Sequence, residues 1–132
     1  MQAELIAAAA VHVLFAVFWA GSTFAVARTG GAMAAQLFGP QIGAATIAVF
    51  SGAYLWKLTH AGPFGRAEQL LALGAVCALL AIGIQAALVG PHIRAVRADA
   101  DNPGRARVAI AYRISAGLLG ITILTMATAR FV

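Results

Sequence analysis

His12 is the residue whose type and place most directly suggest chemistry. It stands inside the apolar run "AAVHVLFAVFWAGSTFAVAR", residues 9–28. An uncharged imidazole there can ligate a metal or a haem iron through one ring nitrogen while the other is hydrogen-bonded. On a helix, His12, Ala16, Trp19 and Thr23 follow spacings of 4, 3 and 4 and so share one stripe. The stripe offers a ligand, a small gap and a flat aromatic. Two readings of His12 stand side by side: a ligand, or a neutral side chain bonded to a threonine or a backbone carbonyl. Trp19 is either the wall of a cofactor site or a packing aromatic.

A second candidate group closes the next apolar run, where "YLWKLTH" places Lys57 about one turn before His60. Lys57 would neutralise a haem propionate while His60 supplied a second axial nitrogen. The competing reading is that Tyr54, Trp56 and Lys57 form an interfacial anchor. Interfacial aromatics at Tyr54 and Trp56 would leave His60 shallower than His12, which sits ~10 Å below the start of its span at 1.5 Å per residue. Helix tilt closes part of that gap. His92 follows Gly90 and Pro91 on the opposite side and reads as interfacial. Arg113 is placed to meet an anionic headgroup or a quinone, with snorkelling the plainer reading. Gln85, Ser115, Thr122 and Thr125 read as polar glue between helices. Cys77 stands alone, excludes an intramolecular disulfide and reads as a small buried hydrophobe. No Cys cluster, phosphate-binding glycine loop or Ser/His/Asp set is visible, so hydrolytic and nucleotide chemistry have no support.

The elements that must position these residues follow from composition. With 62% hydrophobic and 10% charged residues, the chain departs far from an ordinary soluble domain and belongs in a membrane. Each crossing takes roughly 20 apolar residues, and four crossings nearly exhaust the length. They run from about Leu5 to Ala27, Ile42 to Thr59, Ala67 to Gly90 and Val108 to Ala129. Helices alone satisfy an open-ended backbone in hydrocarbon, and short connections favour antiparallel neighbours. The expected fold is an all-α, integral-membrane four-helix up-and-down bundle forming a single domain. Gly30, Gly31, Gly39 and Pro40 suit the first turn, and Gly74, Gly83, Gly117 and Gly120 are expected where helices approach closely.

A cleaved signal peptide is the weaker reading of the first span, because "MQAE" lacks positive charge and the apolar run exceeds the usual ~7 to 15 residues. Arg28, Arg94, Arg97, Arg105, Arg107 and Arg113 collect on one side, against Lys57, Arg66 and Arg130 on the other. The positive-inside rule then predicts that both termini lie on the side away from the cytoplasm. Topology explains the basic loop without nucleic acid.

His12 followed by "WAG" at Trp19–Gly21 resembles the first helix of small bacterial membrane proteins of the copper-resistance D type. It is also similar to HemJ-type protoporphyrinogen oxidases, in which a comparable His and Trp-x-Gly pattern opens the bundle. "YRISAGLL" in the fourth segment is similar to the Arg-x-Ser start of a late helix in related four-helix families. The resemblance implies a haem b or copper site involving His12, and coupling to a membrane electron acceptor. Copper passage lacks a Met-rich path here, the three methionines being Met1, Met33 and Met126. The expectation is a small haem-b-binding redox or electron-transfer protein of the bacterial inner membrane, both termini periplasmic, with His12 and His60 as ligands, Trp19 as a wall and Lys57 as a propionate partner. The alternative is a non-catalytic subunit, in a homo-oligomer or larger membrane complex, whose Ala- and Gly-rich faces pack against other chains. A transporter has little support, since no inverted repeat is visible.

Overall fold

A computed structural model describes all 132 residues. It contains α1 (Gln2–Arg28), α2 (Ala34–Thr59), α3 (Arg66–Ile84), a π-helical segment (Gln85–Val89), α4 (Gly90–Ala98) and α5 (Gly104–Ala129). There are no strands. The α3, π and α4 stretches form one continuous rod, so four helical rods are long and apolar enough to cross a membrane. They make the expected all-α antiparallel bundle, a multi-pass membrane architecture. Most large apolar side chains along the rods are exposed, among them Leu14, Val17, Phe50, Leu79 and Leu124. Lipid, not water, is the solvent such a surface requires.

The first turn is made by Gly30 and Gly31, whose φ values of 63° and 86° are left-handed. Gly31 N–H bonds Val26 O at 3.0 Å and Gly30 N–H bonds Ala27 O at 3.5 Å, the paired closure that ends a helix on a left-handed glycine. Gly39 and Pro40 do not belong to this turn. Helix α2 begins at Ala34, eight residues before the expected start at Ile42, and carries Pro40 inside it. Proline there removes one backbone bond, a loss that neighbouring groups make tolerable in membrane helices.

The third rod also runs past its expected end. The polar look of "HIRAVRA" suggests a loop, yet α4 continues through Pro91 to Ala98. The reason is a short amphipathic stripe: Ile93 and Val96, three residues apart, are buried with Val89, Val108 and Tyr112 at the arginine-rich end, while Arg94 and Arg97 stay outside. Pro91 cannot sit in a plain α-helix without a clash at the preceding turn. One turn upstream the ladder widens, and Gly90 N–H bonds Gln85 O, five residues back. Such single-turn bulges relieve that clash and rotate the flanking faces.

Helix α1 packs on α2 and α5, and α3 packs on α5; α2 and α3 themselves meet at few points. Close approach through glycine is realised at Gly74, where an added Cβ would lie 2.6 Å from Thr125 Oγ1 and 3.2 Å from Met126 Cγ. Gly83 and Gly117 face open space, and Gly120 has only ordinary contact with Phe24. Three of the four expected glycines therefore do not mediate tight packing within the chain.

Candidate functional site

The space between α2 and α3, at the end of the bundle that carries both termini, is an apolar cavity of about 470 Å³. All four rods line it. Helix α1 contributes His12, Ala16 and Trp19, α2 contributes Gly52, Trp56 and His60, α3 contributes Leu71, Ala75 and Ala78, and α5 contributes Leu119, Thr122 and Met126. Its size lies within the ~300–1,000 Å³ typical of small-molecule sites. Many of the lining side chains are alanines, which leaves a slot with flat walls.

His12 is partly buried and pinned to α2. Its Nδ1 lies 2.8 Å from Ala48 O and 3.2 Å from Ser51 Oγ. A backbone carbonyl can only accept, so Nδ1 carries the proton and donates to Ala48 O. The Ser51 hydroxyl gives its own hydrogen to the carbonyl of Ile47 at 2.7 Å. The other ring nitrogen, Nε2, therefore holds a lone pair, and it has no protein partner. It is not sealed in, because every fully buried side-chain nitrogen or oxygen in the chain has a partner. Gly52 makes this placement sterically possible, since a Cβ there would lie 2.9 Å from His12 Cε1. One ring nitrogen fixed by a carbonyl and the other presented as a lone pair is the arrangement of a metal- or proton-accepting histidine.

Trp19 closes the cavity floor with Ala20, Ala78 and Leu119. Its indole N–H donates to Gln85 Oε1 at 2.9 Å, and Gln85 Nε2 donates to Thr23 Oγ1 at 3.0 Å. A second chain lies beneath. Tyr112 donates its hydroxyl to Gln41 Oε1 at 2.6 Å, Gln41 Nε2 donates to Ser22 Oγ at 3.0 Å, and Ser22 donates to Trp19 O at 3.2 Å. Gln41, Gln85 and Tyr112 are fully buried, and this satisfied polar layer ties all four rods together where unpaired amides would be costly. Gln85 is thus more than general glue: it fixes the indole. Gln41, Tyr112, Ser51 and Gly52 were not singled out by sequence pattern. A glutamine in an apolar stretch is the signal that marks Gln41, whereas nothing in residue type marks the Ala48 carbonyl.

His60 caps α2 at the cavity mouth. It stacks on Trp56 with ring centroids 4.9 Å apart, its Nδ1 lies 2.6 Å from Thr59 Oγ1, and its Nε2 lies 3.8 Å from Glu68 Oε1. His12 is level with Gly52, whereas His60 is level with Trp56 and Thr59, one to two turns or ~6–11 Å further along the helix. Nitrogens sharing one ion lie ~4 Å apart, at about 2 Å per bond. The structure places the two imidazoles on one cavity at different depths, as the interfacial aromatics led us to expect, and does not bring them onto a common ion. Lys57 is exposed and does not line the cavity. No lysine or arginine lines the cavity, so its lining offers the expected propionate no cation.

His92 bonds its own helix through Nδ1 and Leu88 O at 3.0 Å, and Arg113 is exposed, each far from the cavity. Thr122 donates to Gly74 O at 2.9 Å and Ser115 to Ala81 O at 3.4 Å, joining α5 to α3, while Thr125 bonds its own helix. Cys77 is buried. Nowhere do three or more His, Cys, Asp or Glu side chains gather as a metal-holding group, which leaves an all-protein copper site without support. No family model, curated protein or solved structure matches the chain.

Proposed function

We propose that this chain is a bacterial inner-membrane redox protein that holds a flat, apolar, redox-active molecule in the periplasmic half of the bundle, with His12 Nε2 as its point of attachment. The observation that carries the reading is the oriented imidazole. A histidine kept only for packing gains nothing from an accessible, partnerless lone pair beside an apolar cavity. Haem b would meet this donor set through one axial ligand, His12, and would bring electron transfer, with its propionates left to water at the open mouth, since no lysine or arginine lines the cavity. The chain's own part is to fix the ring tautomer through Ala48, exclude water with alanine and leucine walls, and floor the slot with Trp19. The periplasmic placement of the termini, and hence of the cavity, rests on six cations at the opposite end against three at this one.

The direct test is an absorption spectrum of protein purified from haem-replete cells, oxidised and then reduced. A Soret band that sharpens on reduction and disappears in His12→Ala supports haem as the occupant. Equal behaviour of wild type and His12→Ala towards every occupant overturns the attachment role. A second reading, that of a subunit in a homo-oligomer or larger membrane complex, is favoured by Gly21, Gly43, Gly83 and Gly117, which meet no other part of the chain and leave small-residue faces free for other helices.

A further inference from the structure

The hydrogen-bonding sense of the cavity narrows its occupant. Along its deep wall every hydrogen-bearing polar group is already committed to the protein. Trp19 N–H goes to Gln85 Oε1, Thr122 O–H to Gly74 O, and His12 Nδ1–H to Ala48 O. What remains at depth is one lone pair, on His12 Nε2. The first uncommitted donor is the indole N–H of Trp56, at the mouth. There, Thr59 gives its hydrogen to Leu55 O at 2.7 Å and accepts from His60 Nδ1, while His60 Nε2 turns towards Glu68 Oε1 at 3.8 Å.

An apolar molecule entering this slot must therefore bring its own donor to the deep end. A carbonyl would set lone pair against lone pair. A hydroxyl would donate to His12 Nε2. No lysine, arginine, aspartate or glutamate lines the slot, so a molecule lying wholly inside it is neutral. The cavity lies between α2 and α3, which meet at few points, and that leaves a lipid-borne tail an exit into the bilayer. The abundant neutral, flat, hydroxylated ring carried by a bilayer is a reduced isoprenoid quinone.

We propose that the cavity binds a membrane quinol in preference to the corresponding quinone, one ring hydroxyl donating to His12 Nε2 and the other directed to the mouth beside His60 and Trp56. This rests on the reading of His12 as the attachment point. The selection for redox state is by recognition alone and requires no electron transfer.

The test uses the full-length protein in lipid nanodiscs. Trp19 and Trp56 are the chain's two tryptophans and both line the cavity, so quenching of their emission reports occupancy, and the midpoint of the titration gives Kd. Decylubiquinol, kept reduced under anaerobic conditions, is expected to bind at least about tenfold more tightly than decylubiquinone, the scale set by leaving a buried acceptor unpaired. His12→Ala is expected to abolish the preference, with helix content by circular dichroism confirming that the bundle persists. His12→Gln, whose amide offers both senses, is expected to bind both probes with a narrowed preference. Equal or tighter binding of the quinone to wild type overturns the proposal, and leaves the attachment reading standing if His12→Ala weakens both probes. A preparation with a His12-dependent Soret band that binds neither probe also overturns the quinol assignment while upholding attachment. Binding of both probes that is indifferent to residue 12 overturns the two together.

Discussion

His12 and Gly52 act as one unit, because the absence of a Cβ at residue 52 is what lets the imidazole lie against α2 and reach the Ala48 carbonyl. In Gly52→Ala the new methyl displaces the end of a side chain and not backbone. We expect stability to change by less than ~1 kcal/mol, at the mild end of overpacking, while occupant affinity falls about tenfold as Nε2 is turned from the slot. A thermal melt and a binding titration on one preparation check both halves. His60→Ala is expected to lower affinity by no more than about threefold, because interfacial water can replace its nitrogen; a loss as large as that of His12→Ala would return His60 to an equal, ligand-like role. The stripe from His12 to Thr23 was legible in the sequence because helical spacing alone puts those residues on one face. The partner that orients His12 was not, since a backbone carbonyl leaves no trace in residue type. That Lys57 stands outside the cavity lining was hidden for a related reason: adjacency to His60 along the chain does not say which residues line a cavity.

Among the elements, the π segment shapes the site most. Pro91 forces a wider turn, and that turn presents Gln85 to Trp19 and Thr23 on α1. Gln85→Leu would leave the indole N–H without a partner, and we expect destabilisation of ~1–2 kcal/mol, near the upper range for hydrogen bonds between membrane helices, with a shift in tryptophan emission. Pro91→Ala removes the clash that sustains the bulge. Regaining a plain α-helix would rotate α3 against α4 by ~100°, the angle of one residue, so either Gln85 or the Ile93 and Val96 stripe must leave its partners. Loss of the near-ultraviolet tryptophan dichroism is the expected sign, and an unchanged spectrum would show that the bulge stands without proline. The apolar runs announced four rods; their ends stayed hidden. Pro40 and Pro91 read as stops because that is their effect in water-soluble helices, whereas here each lies within a rod that packing and lipid hold together.

At the scale of the whole molecule, the bundle divides into a polar-tied, well-packed half at the arginine-rich end and a hollow half at the terminal end. Val26, Val89, Val108 and Tyr112 fill the first, all of them fully buried, and the cavity occupies the second. Fold class was open to sequence reasoning because bilayer thickness fixes helix length. The hollow was not, since it depends on which pair of helices fails to close. Orientation has its own test. In a Cys77→Ala background, Arg97→Cys should resist an impermeant thiol reagent in intact spheroplasts and react after permeabilisation. Labelling in intact spheroplasts would invert the topology and place the cavity on the cytoplasmic side.

The central claim, that His12 offers a lone pair at Nε2 to a molecule in the slot, can be read from the ring itself. The nitrogen-15 spectrum of histidine-labelled protein in lipid, with His12 assigned by its loss in His12→Ala, should show Nδ1 protonated and Nε2 unprotonated without an occupant. Adding decylubiquinol should shift the Nε2 resonance and leave Nδ1 nearly unmoved. A His12 ring protonated at Nε2 and bare at Nδ1, or an Nε2 resonance indifferent to any occupant, would contradict the account.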